Sequence, residues 1–120
     1  MGYNKPERRK MYRTFIQTNQ FVKDWERMNL TDDDLRRLEL MILKEPKVGK
    51  VIRGTGRLRK IRFAFDGEGK SGSVRVCYVD FEKNNIVYLI TAYPKSEKDT
   101  LSKEECNNIR RYIDVLEKNL

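Results

Sequence analysis

Hydrophobic positions along this chain fall into segments of different period, and each period predicts an element. Phe21, Val22, Trp25 and Met28 recur at helical spacing, so 19–29 reads as a short helix with Trp25 in its apolar stripe. Just before it, Arg13 to Gln17 reads as a short strand around Phe15. Leu30-Thr31-Asp32-Asp33-Asp34-Leu35 then has the composition of a helix start. Thr31 can cap, the aspartates sit at the positive end of the dipole, and Leu30 and Leu35 occupy the hydrophobic-staple positions. Leu38, Met41 and Ile42 continue this helix until Pro46 stops it.

After Gly49 the period shortens to that of strands. Leu58 to Phe65 alternates: Arg59, Ile61, Phe63 and Phe65 point one way, Lys60, Arg62 and Ala64 the other. Asp66 to Ser73 is a Gly/Ser loop, Val74 to Phe81 a second strand, Lys83-Asn84-Asn85 a tight turn, and Ile86 to Tyr93 a third strand. Short connections make these strands antiparallel. Ser102-Lys103-Glu104-Glu105 is a capping box, and Cys106, Ile109, Ile113, Leu116 and Leu120 follow helical steps after it. The order predicts a small α+β domain over 14–120: N-terminal helices, an antiparallel sheet and a C-terminal helix. Residues 1–13 read as a flexible basic arm.

Charge sharpens this picture. The chain of 120 residues carries a formal +8, and the excess is concentrated at 1–13 and at 50–75. The second block holds Lys50, Arg53, Arg57, Arg59, Lys60, Arg62, Lys70 and Arg75 together with five of the seven glycines. A focused basic block suits a polyanion, with nucleic acid first among candidates. Glycines let backbone amides approach phosphate, and they equally serve simple turns. Lys60 and Arg62 share a strand face, and almost no acidic residue precedes Asp80 on these strands. If register brings a partly exposed Arg75 beside Arg62, the cations converge on one anion-binding face.

Other chemistry is limited. The chain has no histidine, which excludes nucleophiles of the Cys–His or Ser–His–Asp kind and ordinary zinc sets. Cys77 and Cys106 are too far apart in sequence for a metal cluster and are expected as buried or semi-buried thiols. The aspartate run at 32–34 is a helix start rather than a cation site, because successive helical residues diverge. No metal or other cofactor is expected. No apolar stretch reaches the roughly 20 residues of a membrane span, and no apolar leader opens the chain, so a cytoplasmic protein without membrane partners is expected.

Several motifs resemble the HigB branch of the RelE/ParE toxin superfamily. They are Gly54-Thr55-Gly56, Leu58-Arg59-Lys60-Ile61-Arg62-Phe63-Ala64, Gly69-Lys70-Ser71-Gly72-Ser73-Val74-Arg75-Val76, Tyr93-Pro94-Lys95-Ser96-Glu97-Lys98 and Leu101-Ser102, with Leu30 to Glu39 before them. The resemblance covers roughly 14–118. It implies a compact RelE-like α+β fold and a type II toxin that cuts mRNA in the ribosomal A site. It also implies a cognate antitoxin as partner, commonly a helix-turn-helix, HigA-like protein. Carried over by position, Lys60, Arg62 and Arg75 match the family's active-site cations. Lys95 and Lys98 fall in its basic C-terminal loop, and Lys70 in the Gly/Ser motif is assigned RNA contact only. Arg57 and Pro94 depart from the pattern, where glycine and a small residue are usual.

The chemistry of such a reaction can be matched to residues. Cleavage through a 2′-hydroxyl needs a base, cations for the growing charge, and an acid for the departing 5′-oxygen. Arg62 and Arg75 can supply the charge, and Lys60, crowded by them, is the candidate for proton transfer. Tyr93 offers a phenol for stacking or proton donation, or simply a packed ring. Lys95 completes the candidate catalytic set, while Arg53, Arg57, Arg59, Lys70 and Lys98 are candidate RNA contacts. Two other functions remain open at this level: an RNA- or ribosome-binding module without catalysis, and a ParE-like inhibitor of DNA gyrase.

Overall fold

The structure, a computed structural model, describes residues 12–64, 73–98 and 100–120. The arm up to residue 11, and the expected loop with Lys70, lie outside the described residues apart from Ser73. The elements are β1 (Thr14–Gln17), α1 (Asn19–Arg27), α2 (Asp32–Lys44), β2 (Lys50–Val51), β3 (Arg59–Ala64), β4 (Ser73–Phe81), a 3-10 turn (Glu82–Asn84), β5 (Ile86–Pro94) and α3 (Lys103–Lys118).

Each helix starts where its sequence offers a cap. Thr18 Oγ1 accepts the Phe21 amide at 3.0 Å and donates to the Ile90 carbonyl at 2.7 Å, so the cap also ties α1 to β5. Thr31 and Asp34 form a reciprocal capping box at α2, and Ser102 and Glu105 do the same at α3. Leu30 is buried and Leu35 packs beside it in the same cluster, as a staple requires.

The strands form one sheet in the order β1-β5-β4-β3-β2. It is antiparallel from β2 through β5, but β1 adds in parallel to β5, from Thr14 opposite Ile86 to Gln17 opposite Leu89. The three strands expected to be antiparallel are so, and the parallel β1, which the sequence did not assign to the sheet, makes the whole a mixed one. Arg13 fixes the entry to β1. Its Nε donates to Asp80 Oδ1 at 2.8 Å and a terminal nitrogen donates to Oδ2 at 3.3 Å, in a pair almost wholly removed from water. Arg13 thus belongs to the folded domain rather than to the arm.

Both sheet faces are covered, by different helices. On one face Ile61, Phe63, Val76, Tyr78, Leu89 and Ala92 pack against Phe21, Trp25, Leu38 and Ile42 of α1 and α2. On the other, Cys77, Val79, Ile90 and Tyr93 pack under Ile113 of α3. An irregularity between Cys77 and Tyr78 pairs Cys77 with Thr91 but Tyr78 with Leu89. Ile90 is the extra residue, and it is turned into the α3 cluster. Among the described residues, no helix is long and apolar enough to cross a membrane.

Asp24 joins α1 to the sheet where β1 has left it. It is 3% exposed; Oδ2 accepts from Thr91 Oγ1 at 2.7 Å and the Ala92 amide at 3.0 Å, and Oδ1 from Gln20 Nε2 at 2.8 Å. Removing the carboxylate leaves buried donors without a partner, at about 1–3 kcal/mol each. Asp24→Ala is expected to lose about 2–4 kcal/mol in urea unfolding. A loss below about 0.5 kcal/mol, the range of an ordinary surface change, would contradict this account.

Candidate active site

The cationic face assembles from strand register. Lys60 stands opposite Cys77 and Arg62 opposite Arg75, and Arg75 in turn stands opposite Tyr93 on β5. Directly opposed residues share a face with Cβ atoms about 4.5–5.5 Å apart, so Arg62 and Arg75 are immediate neighbours. Ile61 and Phe63 alternate into the core beneath. Lys60 is half-buried and Arg62 exposed. Arg75 is only 6% exposed, and its guanidinium donates to Ser73 Oγ at 3.2 Å. The expected partly exposed Arg75 is thus corrected to a buried one, because it lies on a central strand between Arg62 of β3 and Tyr93 of β5.

An open cleft of about 530 Å3 runs along this face, lined by Lys50, Lys60, Arg62 and Arg75 with Met41, Val48 and Ile61. Lys50 was not singled out from sequence as a site residue. It is placed here by the pairing of β2, in which Lys50 lies opposite Lys60. A strand of two residues leaves no alternation to read, and the only hint was Gly49 ahead of it.

Tyr93 lies at the base of the face. Its ring is 2% exposed within the α3 cluster, which matches the packed-ring reading and leaves no room for stacking on a base in this conformation. The hydroxyl lies against the Cys77 thiol, buried and without a hydrogen-bond partner of good geometry. Burial, and then the neighbouring thiol, push the phenol well above its usual value against the opposing pull of Arg75. Burial likewise pushes the Cys77 thiol up to about 12, so both groups stay protonated at neutral pH.

The remaining candidates divide between this face and elsewhere. Lys95 is exposed in the turn after β5, and its amide donates to the Ser73 carbonyl at 3.3 Å, at the Arg75 end of the sheet. Pro94 ends β5 and accepts the Glu97 amide at 3.0 Å, which shapes that turn. Lys98 pairs with Glu105 at 2.6 Å and lies 5.1 Å above the Tyr93 ring. Lys98, together with the Ser102 amide, holds the Glu105 carboxyl below its ordinary value.

Arg59 instead projects to the opposite face and donates to the carbonyls of Gly49 at 2.7 Å and Lys47 at 3.3 Å. Arg57 pairs with Glu117 and lies 5.2 Å above the Phe81 ring. That is about 20 Å along β4 from Arg75. Arg53 is exposed in the neighbouring turn, where Gly54 and Gly56 adopt φ of 89° and 86°. A side chain at either position would meet nothing within 4 Å, so these glycines serve the turn's backbone. The Asp34 carboxylate is taken up by Thr31 and Arg37, and among the described residues no cluster of His, Cys, Asp or Glu is arranged to hold a metal ion.

Residues 12–119 match the family described as the RelE toxin of the RelE/RelB toxin–antitoxin system. The chain belongs to the RelE toxin family. A double arginine-to-alanine variant of the E. coli toxin RelE in the free state is similar to it, with 16% identity, a TM-score of 0.51, and coverage of 73% of this chain and 88% of that one. The same variant in complex with an antitoxin RelBc peptide has 19% identity and a TM-score of 0.49, covering 75% of this chain and 99% of that one. The free RelE structure shares the fold. The RelE-like α+β architecture expected from sequence is therefore found, with the cationic cleft along β3 and β4.

Proposed function

We propose that this RelE-family toxin is a ribosome-dependent endoribonuclease of the HigB branch, cutting mRNA during translation and so arresting protein synthesis in the cytoplasm. The observation that carries the proposal is the register placing Arg62 beside Arg75, with Lys60 on the same face. Like charges opposed across strands are destabilising, which favours an anion as the natural occupant of the cleft.

In the proposed reaction the 2′-oxygen attacks the adjacent phosphorus and its proton passes to a base. The bond from phosphorus to the 5′-oxygen breaks, and that oxygen takes up a proton. The products are a 2′,3′-cyclic phosphate and a 5′-hydroxyl. Arg62 and Arg75 stabilise charge on the non-bridging oxygens, and Lys60 is the proton-transfer residue. Tyr93, with its phenol kept neutral, supports Arg75 from below, and Lys95 reaches the RNA from the adjoining turn. Lys70, Lys98 and Arg53 extend the RNA contact surface. No step uses a metal. Without histidine the centre has a modest acid–base set, so the ribosome is assigned the task of orienting the 2′-hydroxyl for in-line attack. A cognate antitoxin, of helix-turn-helix, HigA-like type, neutralises the toxin.

Expression of the protein should produce new 5′ ends inside translated reading frames, read by primer extension on cellular mRNA, with gyrase supercoiling unaffected. Inhibition of gyrase with intact mRNA would replace this reading by a ParE-like one. Ribosome binding with intact mRNA would leave a binding module.

A further inference from the structure

The cleft has a second lip that the proposed cleavage chemistry does not use. Beyond Lys60, the edge of β3 is no longer covered by β2, because that strand ends at Lys50–Val51 and pairs only with Arg59 and Lys60. Along this open edge the cleft is lined by Lys50, Val48 and Met41. Val48 is 45% exposed, an unusual setting for a branched apolar side chain beside four cations.

Lys50 is also held in place with more care than a surface lysine needs. The Gly49 amide donates to Tyr78 Oη at 2.9 Å, and that hydroxyl donates to the Pro46 carbonyl at 2.8 Å. Arg59 secures the Gly49 carbonyl from the other side at 2.7 Å. A Cβ on Gly49 would stand 2.7 Å from Ile61 Cγ2, so only glycine lets this segment lie so close to β3. Tyr78 is fully buried, and these anchors belong to the core. They fix the backbone on which Lys50 faces Lys60. A lysine on an edge strand ordinarily blunts strand pairing, and that duty needs no fixed position and no like-charged neighbour directly opposite.

We propose that Lys50, Val48 and Met41 form a nucleotide subsite beside the cleavage centre, in which Lys50 holds the phosphate flanking the scissile one and Val48 and Met41 cover its base. Apolar side chains can cover the face of any base, so the subsite contributes affinity and register along the strand. The proposal deepens the endoribonuclease reading and rests on it for the identity of the strand.

The test combines single-turnover cleavage of ribosome-bound mRNA with binding of a short single-stranded RNA at several salt concentrations. Lys50→Ala should raise the half-saturating concentration about tenfold while the saturated rate stays within about twofold. It should also flatten the logarithmic salt slope of RNA binding by about 0.7, the share of one phosphate on a single strand. Lys50→Arg should restore both quantities. Val48→Ser should raise the half-saturating concentration with the slope unchanged, since it removes apolar cover and no charge. Lys47→Ala is the control, because Lys47 is paired with Glu82 at 2.8 Å and does not line the cleft; it should change neither quantity.

The subsite is overturned if Lys50→Ala behaves like Lys47→Ala, or if it slows the saturated rate at unchanged affinity. It is equally overturned if the only loss is in neutralisation by the antitoxin, which would make this lip a protein contact. If the parental protein cuts no ribosome-bound mRNA, the endoribonuclease reading fails, and the subsite then stands or falls on the salt slope of RNA binding alone.

Discussion

Arg75→Ala should reduce single-turnover cleavage by about 100- to 1,000-fold, the usual cost of removing one preorganised donor to developing charge. The same substitution should also lower stability, which sets it apart from an ordinary surface charge deletion. Arg75 is 6% exposed, bonded to Ser73 Oγ and set between Arg62 and Tyr93. Losing the packed stem and that hydrogen bond is expected to cost about 1–3 kcal/mol. Activity is therefore compared at a temperature where circular dichroism shows the variant folded. Arg75→Lys separates the two effects further. It keeps a charge but loses the planar fork, so it should fall between the parent and Arg75→Ala in rate. A folded Arg75→Ala protein that cuts at the parental rate would remove Arg75 from the centre.

Lys60→Ala should slow the bound complex by about 100- to 10,000-fold, the range for loss of a positioned proton-transfer group, and weaken binding only modestly. Arg53→Ala should do the reverse. Its side chain is exposed in the turn ahead of β3, away from the reacting phosphate, so it should flatten the salt slope and leave the saturated rate unchanged. Single-turnover rates measured beside binding at several salt concentrations distinguish the two. If Lys60→Ala changes affinity alone, Lys60 is a phosphate anchor and proton transfer must be assigned elsewhere.

The parts of this molecule that were legible in sequence are those decided locally. Thr31 and the Ser102–Glu105 box announced their helices because capping depends on residues three apart. Alternation placed Lys60 and Arg62 on one face because the strand period is two. Contacts across long separations were not legible. The parallel pairing of β1 joins Thr14 to Ile86, and the buried bidentate pair joins Arg13 to Asp80, which is why Arg13 read as part of an arm.

The same limit explains the basic block. The pairing of Arg57 with Glu117 was not legible, because Glu117 lies 60 residues later on α3. The acceptors of Arg59 were not legible either, because they are backbone carbonyls, which a count of acidic residues cannot reveal. Lys98 is likewise paired with Glu105, which also serves the cap of α3, a contact that residue spacing alone does not announce. The join of Arg62 to Arg75 was foreseen only conditionally, because register across the intervening loop cannot be counted from residue types. The family likeness supplied the residues, and the sheet supplied their meeting.

The most direct test of the central claim is the chemistry of the cut. Purified protein is added to stalled translation complexes carrying end-labelled mRNA, and to the same mRNA without ribosomes. A ribosome-dependent endoribonuclease of this kind should cut at the ribosomal A site within single-turnover time, leave an upstream fragment ending in a 2′,3′-cyclic phosphate, and cut little naked mRNA. Rapid cutting of naked mRNA, or an upstream fragment ending in a free 3′-hydroxyl, would contradict that claim.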